Sequence, residues 1–204
     1  KAQCPVDYVY IYPNACIYFN TSDITLIISS DTAYLVAPKT RSCVAGYFYL
    51  SSNPLISKHP TLNGAILVEC KTLRHVVSSA AEAETGGVFH NAQVAIPIRI
   101  LLRTLGHPQP PTPIKTDNAT TNGFIHDNIH QKRSKSWDMR YYWLRDRLAQ
   151  QQFHFFWDKG TNNNADYHTK HHPTKHHRVM RPRYVLDKML CMIAHNMGTI
   201  LSHA

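Results

Sequence analysis

Residues 24–31, Ile-Thr-Leu-Ile-Ile-Ser-Ser-Asp, constrain the fold most: the run is short, rich in β-branched side chains, nearly continuous in apolar character, and ends in an acid. A strand with one wet face alternates polar and apolar positions, whereas a run of this kind belongs to a strand buried on both faces. The expectation is therefore an α/β sheet with Asp31 at the carboxyl end of a buried strand.

The neighbouring segments extend the sheet. A turn with Pro38, Lys39 and Arg41 leads to a strand at 43–50, and a Pro-containing loop leads to another at 65–71, which makes a three-stranded meander. Ser79-Ala80-Ala81-Glu82 has capping-box spacing, so a helix starts there, with Glu82 reaching back to the cap. This helix carries Val88, Val94 and the apolar positions of 98–102, tolerates Gly86 and Gly87 at a cost, kinks at Pro97 and stops near Gly106. A Pro-rich loop then delivers a short strand at 114–117 that again finishes in an acid, Asp117.

A short helix near 119–127 follows, and Ser134 or Ser136 caps a stronger one with Trp137, Tyr141, Leu144 and Leu148 at helical spacing and Arg140, Arg145 and Arg147 on its other side. Phe153, Phe155 and Trp157 alternate in a fifth strand, and a Gly-Thr-Asn-Asn-Asn turn introduces a helix containing Asp166. The element string is β-β-β-α-β-α-α-β-α. Residues 1–23 show no clear period and read as an N-terminal extension; 24–172 form the main domain. Residues 173–204 form a basic tail whose Leu186, Met189, Leu190, Ile193, Met197, Ile200 and Leu201 predict an amphipathic helix that docks on protein rather than on a membrane. A start at Lys1 rather than Met reads as a piece of a longer product.

Charge is unevenly placed. Residues 1–131 hold nine basic and eight acidic side chains, while 132–204 hold thirteen and five, so +8 of the net +9 lies in the last third. Concentrated Lys and Arg gain affinity for nucleic acid by releasing condensed counterions, and a solvated basic face is the plainer alternative. The longest apolar stretch, 94–102, is broken by Pro97 and Arg99 and is far shorter than the roughly 20 residues of a membrane span, so no membrane helix is expected. Five cysteines, Cys4, Cys16, Cys43, Cys70 and Cys191, form no close pair and leave one odd, which reads as reduced thiols in an intracellular protein.

Four acids stand where they can converge: Asp31 and Asp117 after strands, Glu84 within the first long helix and Asp166 late in the chain. In open α/β sheets, sites form beyond the carboxyl ends of strands. Close carboxylates repel and call for hard divalent cations, and two such ions roughly 3.5–4 Å apart can activate water and stabilise the leaving oxygen of a phosphodiester. Each acid taken alone is equally a helix cap or a solvated surface group.

Ser30-Asp31-Thr32-Ala33-Tyr34-Leu35, the stretch 39–42, Ser78-Ser79-Ala80-Ala81-Glu82-Ala83-Glu84, Thr116-Asp117-Asn118 and Ala165-Asp166-Tyr167-His168-Thr169-Lys170 together resemble the ribonuclease H domain of copia-type retrotransposon polyproteins. The likeness covers about 24–170, with the acids in the family's order of Asp, Glu, Asp, Asp. An integrase core shares the architecture but expects an order ending in Glu. The resemblance implies a ribonuclease H-like α/β fold, a five-stranded mixed sheet of order 3-2-1-4-5 flanked by helices. It also implies a metal-dependent endonuclease that hydrolyses the RNA strand of RNA–DNA hybrids during reverse transcription, with an upstream reverse transcriptase domain as partner. Asp31, Glu84, Asp117 and Asp166 match the family's catalytic, metal-binding acids, with two Mg²⁺ ions as cofactor and Mn²⁺ as substitute. The setting implied is a cytoplasmic particle or the nucleus.

The rival reading is a non-catalytic module of the same fold, from a decayed or specialised element, that grips RNA or hybrid; a third is an interaction domain docking through the terminal helix. Lys132, Arg133, Lys135 and Arg140 are the expected phosphate contacts, and Asn118 either joins them or caps the following helix. Glu82 reads as a cap. His168, His171, His172, His176 and His177 lack a nearby Cys and read as a basic loop rather than a zinc site. His154 and His168, nearest to Asp166 in sequence, are candidates for proton transfer or for structural roles.

Overall fold

The computed structural model describes residues 3–52, 61–126 and 135–187. In chain order the elements are α1 (Gln3–Ile11), β1 (Ala15–Cys16), β2 (Thr25–Ala37), β3 (Arg41–Ser51), β4 (Ala65–Thr72), α2 (Ala80–Thr104), β5 (Thr112–Thr116), α3 (Ala119–Ile125), α4 (Lys135–Ala149), β6 (Phe153–Trp157), α5 (Asp166–Thr169), α6 (Thr174–Tyr184) and β7 (Leu186–Asp187). They fall into two compact units, residues 21–171 and residues 1–20 with 172–204.

The larger unit is a five-stranded sheet of order β4-β3-β2-β5-β6. The first three strands are antiparallel and the last two join in parallel, so the sheet is mixed. Counted from β2, this is the expected order. Every residue of β2 from Thr25 to Ala33 is buried, as its unalternating apolar run requires. Leu26, Ile28, Phe48, Val88, Ile114, Leu144, Phe153 and Phe155 pack together as the core.

The long helix α2 lies close on the sheet because Gly87 permits it. A Cβ there would stand 2.1 Å from Thr32 Oγ1 and 2.9 Å from Val44 Cγ2, whereas one on Gly86 would find only ordinary contacts at 3.6 Å or more. The glycine that sequence alone reads as a cost to the helix is therefore a packing requirement. Behind it, Asn91 is fully buried and donates to Ser30 Oγ at 2.9 Å and to the Ala45 carbonyl at 3.0 Å, so the helix is pinned to both central strands. The helix ends as expected at Gly106, whose φ of +89° suits glycine. Gly106 N–H donates to the Arg103 carbonyl and His107 N–H to the Leu102 carbonyl, a Schellman closure. At the other end Ser79 Oγ accepts from Glu82 N–H, but the Glu82 carboxylate turns to Ser78, accepting from its N–H and its hydroxyl at 2.7 Å each, rather than to the cap residue.

Two expectations need amendment. In β6 only Phe153 and Phe155 are buried; Trp157 is 46% exposed, and its indole N–H donates to the Asp117 carbonyl. The arginines of α4 lie against aromatic rings: Arg140 over Phe89, Arg145 over Tyr141 and Arg147 over Trp143.

The smaller unit joins the two ends of the chain. β1 and β7 pair antiparallel, Arg181 Nε donates to Tyr8 Oη, and the Arg181 guanidinium lies 4.1 Å over the Tyr12 ring. Its second helix, α6, occupies the Pro-, His- and Arg-rich stretch. Leu186, expected to open the terminal amphipathic helix, instead lies in β7 and pairs with Cys16, and the rest of that apolar stripe lies outside the described residues. Among the described residues no helix is long and apolar enough to cross a membrane.

Candidate metal centre

Asp31 does not end its strand as expected, because β2 runs on to Ala37 by pairing with β3; parallel pairing of β5 with β2 is confined to Ile28 and Ser29, so β2 runs on past that neighbour. In the space beyond, three acids meet. Asp31 comes from β2, Glu84 from the first turns of α2, and Asp117 follows the last residue of β5. One carboxylate oxygen of each lies within 4.8 Å of those of the others.

Each acid is held by specific donors. Glu84 Oε1 accepts from Thr32 N–H at 2.8 Å, and Oε2 accepts from Thr116 Oγ1 at 3.4 Å. Asp31 Oδ2 accepts from the Thr169 hydroxyl of α5. Asp117 has its backbone carbonyl fixed by Trp157, and the Cα of Gly160 lies against its carboxylate, where a Cβ would stand 2.9 Å from Oδ2. The loop carrying Gly160 is anchored in turn by Asn163, which donates from Nδ2 to the Ser30 carbonyl at 2.8 Å, and by the buried Lys115, whose ammonium donates to the Asn162 carbonyl at 2.5 Å.

Burial and mutual repulsion act together on this group. Asp31, 3% exposed, is pushed up from 3.8 to about 6 by burial and then by the charges of Asp117 and Asp166, against the Thr169 hydroxyl and Lys170. Glu84 rises well above the ordinary range through burial and the charges of Asp31 and Asp117. Asp117 rises through burial and Asp166. A buried set of acceptor-only groups that resist ionising together fits a hard divalent cation, which would neutralise them and take only oxygen ligands. The donor set therefore fits a hard divalent cation, which Asp31, Glu84 and Asp117 would hold.

Asp166 stands outside this trio. It opens α5, and its carboxylate is engaged by the Lys170 ammonium one turn on. Burial lowers the Lys170 pKa, but Asp166, Asp31 and Asp117 together raise it above its ordinary value. Sequence alone assigns Thr169, Lys170 and Asn163 no functional role, because their partners come from distant elements. The block 165–170 and the Asn run before it hold all three, beside the acid Asp166.

The remaining expected residues are dispersed. Asn118 caps α3, its Oδ1 accepting from Thr121 N–H at 2.9 Å. Arg140 donates to the His75 ring at 2.6 Å, at the side of a cleft of about 380 Å³ also lined by Lys71, Arg74, Phe89 and His90. Burial and Arg140 hold His75 below its ordinary pKa, so the ring is the acceptor. Lys132 and Arg133 lie outside the described residues, as does the side chain of Lys135. His154 is exposed on β6, while His168 stacks on Tyr47 with ring centroids 6.2 Å apart. His172 stacks with His176, centroids 4.2 Å apart; among the described residues Asp31, Glu84 and Asp117 are the group whose ligand atoms lie close enough to hold a metal ion.

No protein-family model matches the chain. No curated protein matches it in sequence. Solved structures do share its fold. LC11-RNase H1, isolated from compost by a metagenomic approach, is 8% identical over 71% of this chain and 91% of its own, with a TM-score of 0.51. LC11-RNase H1 in complex with an RNA/DNA hybrid gives 9% identity over 71% of this chain and 93% of its own, with a TM-score of 0.50. The N-terminal RNase H domain of a Mycobacterium tuberculosis protein is 14% identical over 72% of this chain and 91% of its own, with a TM-score of 0.47. The chain has the ribonuclease H-like fold.

Proposed function

We propose that this chain is a metal-dependent endonuclease that hydrolyses the RNA strand of RNA–DNA hybrids, the ribonuclease H domain of a copia-type retrotransposon polyprotein, with residues 24–172 as its working part. The observation that carries this reading is the meeting of Asp31, Glu84 and Asp117, from three elements, at the open end of a ribonuclease H-like sheet. The compost enzyme of the same fold was solved with an RNA/DNA hybrid. Divalent cations at such acids supply Lewis acidity, making water a better nucleophile and stabilising the leaving oxygen.

The protein's own residues do the holding. Thr32 N–H and the Thr116 hydroxyl aim Glu84; Thr169 aims Asp31; Gly160 leaves room for Asp117. Asp166, beside them and restrained by Lys170, adds negative charge that favours a second cation. Grip on the hybrid comes from the basic last third, with Lys132, Arg133 and Lys135 on phosphates and Arg140 at the mouth of its cleft. An upstream reverse transcriptase domain is the partner, and a cytoplasmic particle or the nucleus the setting.

The engagement of Asp166 by Lys170 favours a second reading, in which the same fold grips hybrid without cutting. One assay separates them: purified full chain with end-labelled RNA–DNA hybrid, in Mg²⁺, in Mn²⁺ and in chelator. Cleavage of the RNA strand only with metal supports the nuclease; tight binding with no cleavage in either metal supports the binding module.

A further inference from the structure

We propose that Cys43 and Cys70 are a redox modification site, closing to a reversible disulfide that loosens the helix over the acids. The two thiols come from neighbouring antiparallel strands. Cys43 of β3 is opposite Thr72 and Cys70 of β4 is opposite Ala45, so they are diagonal neighbours on one sheet face, with Sγ atoms 3.3 Å apart. Closing that gap to the roughly 2.05 Å of a disulfide is a small movement. Cys70 is exposed and open to a soluble oxidant, while Cys43 is half-buried behind it.

The same face carries Asp31. Asp31, Ala45 and Cys70 form one row across β2, β3 and β4, and α5 lies over it. Cys70 Sγ donates to the His168 carbonyl at 3.0 Å, and the next residue, Thr169, holds Asp31. A disulfide deprives Cys70 of the proton it gives to His168, so α5 loses one of its attachments beside the acid.

The oxidant is a low-molecular-weight disulfide such as glutathione disulfide. The Cys70 thiolate attacks one of its sulfurs, forming a mixed disulfide and expelling one thiolate, which takes up the Cys70 proton. Burial and the Cys70 thiol hold the Cys43 thiol well above its ordinary pKa, so Cys43 loses its proton only as it attacks the Cys70 sulfur, forming the Cys43–Cys70 bond and expelling the second thiolate, which takes up the Cys43 proton. Two electrons and two protons pass from the protein to the oxidant.

The test uses the full chain with Cys4, Cys16 and Cys191 changed to Ser, equilibrated in glutathione buffers of graded poise, then alkylated and mapped by mass spectrometry without reduction. The expected result is one cross-link joining the Cys43 and Cys70 peptides, reversed by dithiothreitol and absent from Cys43→Ser and Cys70→Ser. Both thiols remaining alkylatable across the series, or glutathione left on Cys70 unresolved, would overturn it. The coupling to α5 rests on the nuclease reading and has its own measurement: affinity for Mn²⁺ by calorimetry, expected to fall several-fold on oxidation and to be unmoved in Cys70→Ser. Equal Mn²⁺ affinity in both redox states sinks the coupling, whatever the hydrolytic activity of the protein.

Discussion

Thr169 on α5 donates its hydroxyl to Asp31 on β2, a hydrogen bond that spans 138 positions of sequence and fixes a buried carboxylate against its neighbours. A bond to a charged acceptor is worth about 1.5–3 kcal/mol. Thr169→Val keeps the shape and removes the donor, so Asp31 should rise further in pKa and divalent cations should bind roughly tenfold or more weakly, while Thr169→Ser stays near wild type. Calorimetric titration with Mn²⁺ reads this directly; equal affinity in Thr169→Val would show that the hydroxyl does not support the ligand.

The raised acids give the metal-free protein an unusual pH response. Asp31 titrates near 6 in the folded state against an ordinary 3.8, and Glu84 is also raised. Their protonated forms are favoured by folding, so this stability is complete below the unfolded value, about pH 4, and is lost as pH rises through about 6. For Asp31 the loss is at most ~3 kcal/mol. Melting temperature in chelator should fall from about pH 4 to about pH 6.5, flatten in Asp31→Asn, and be restored by Mg²⁺ at pH 7.5. A melting temperature that climbs across that window in chelator would contradict the shared burial of these acids.

Adjacent glycines in α2 should respond in opposite directions. Gly86→Ala meets only ordinary contacts and gains helix propensity, so it stabilises by roughly 0.5–1 kcal/mol. Gly87→Ala drives a methyl into Thr32 Oγ1 and Val44, an overpacking cost of about 1–3 kcal/mol, partly relieved when Thr32→Ala is added. Urea denaturation of the four proteins measures it, and equal effects at 86 and 87 would mean the helix does not lie where the sheet contact puts it.

The difference between those two glycines shows what a sequence can carry. The unalternating run at 24–31 and the capping spacing at Ser79 act locally, so the buried strand and the start of α2 can be read from neighbouring residues. The acids are legible in part for the same reason: Asp117 follows the last residue of β5, and Asp31, although inside β2, stands just beyond the end of its pairing with β5, where sites gather. Which side of α2 meets the sheet is decided by packing across residues far apart, and so is the partnership of Cys43 with Cys70 or of Thr169 with Asp31. Lys170 illustrates the limit well, since its pairing with Asp166 is local, one helical turn away, yet its influence on Asp31 and Asp117 appears only once β2, β5 and α5 converge.

The position of Asp166 leads to a ranking among the acids. Because Lys170 holds its carboxylate and it lies outside the trio, Asp166→Asn should lower cleavage by about 10–100-fold, the range for a residue acting behind the ligands. Lys170→Met should move activity in the same assay by releasing Asp166. Steady-state cleavage of a labelled hybrid decides, and complete loss in Asp166→Asn would make it an equal member of the ligand set.

Asp31→Asn is the most demanding case, because the substitution is nearly isosteric and the Thr169 hydroxyl can still donate to the amide oxygen. What changes is charge. Asp31 feels the charge of Asp117, and Glu84 feels that of Asp31, so with this carboxylate gone the remaining pair is a poorer site for a divalent cation. Cleavage should fall below detection. Hybrid binding should stay the same or tighten, since repulsion between the acids and the phosphate backbone is reduced. Stability in chelator should be unchanged or higher at pH 7.5, where wild type bears the full cost of ionised, buried neighbours. Ca²⁺ should bind wild type yet support little turnover, being larger and less exacting in geometry than Mg²⁺. Cleavage, filter binding and thermal melting on the same preparation give all of these outcomes. Full Mg²⁺-dependent cleavage by both Asp31→Asn and Asp117→Asn, or wild-type cleavage undiminished in chelator, would end the reading of these three acids as a metal centre.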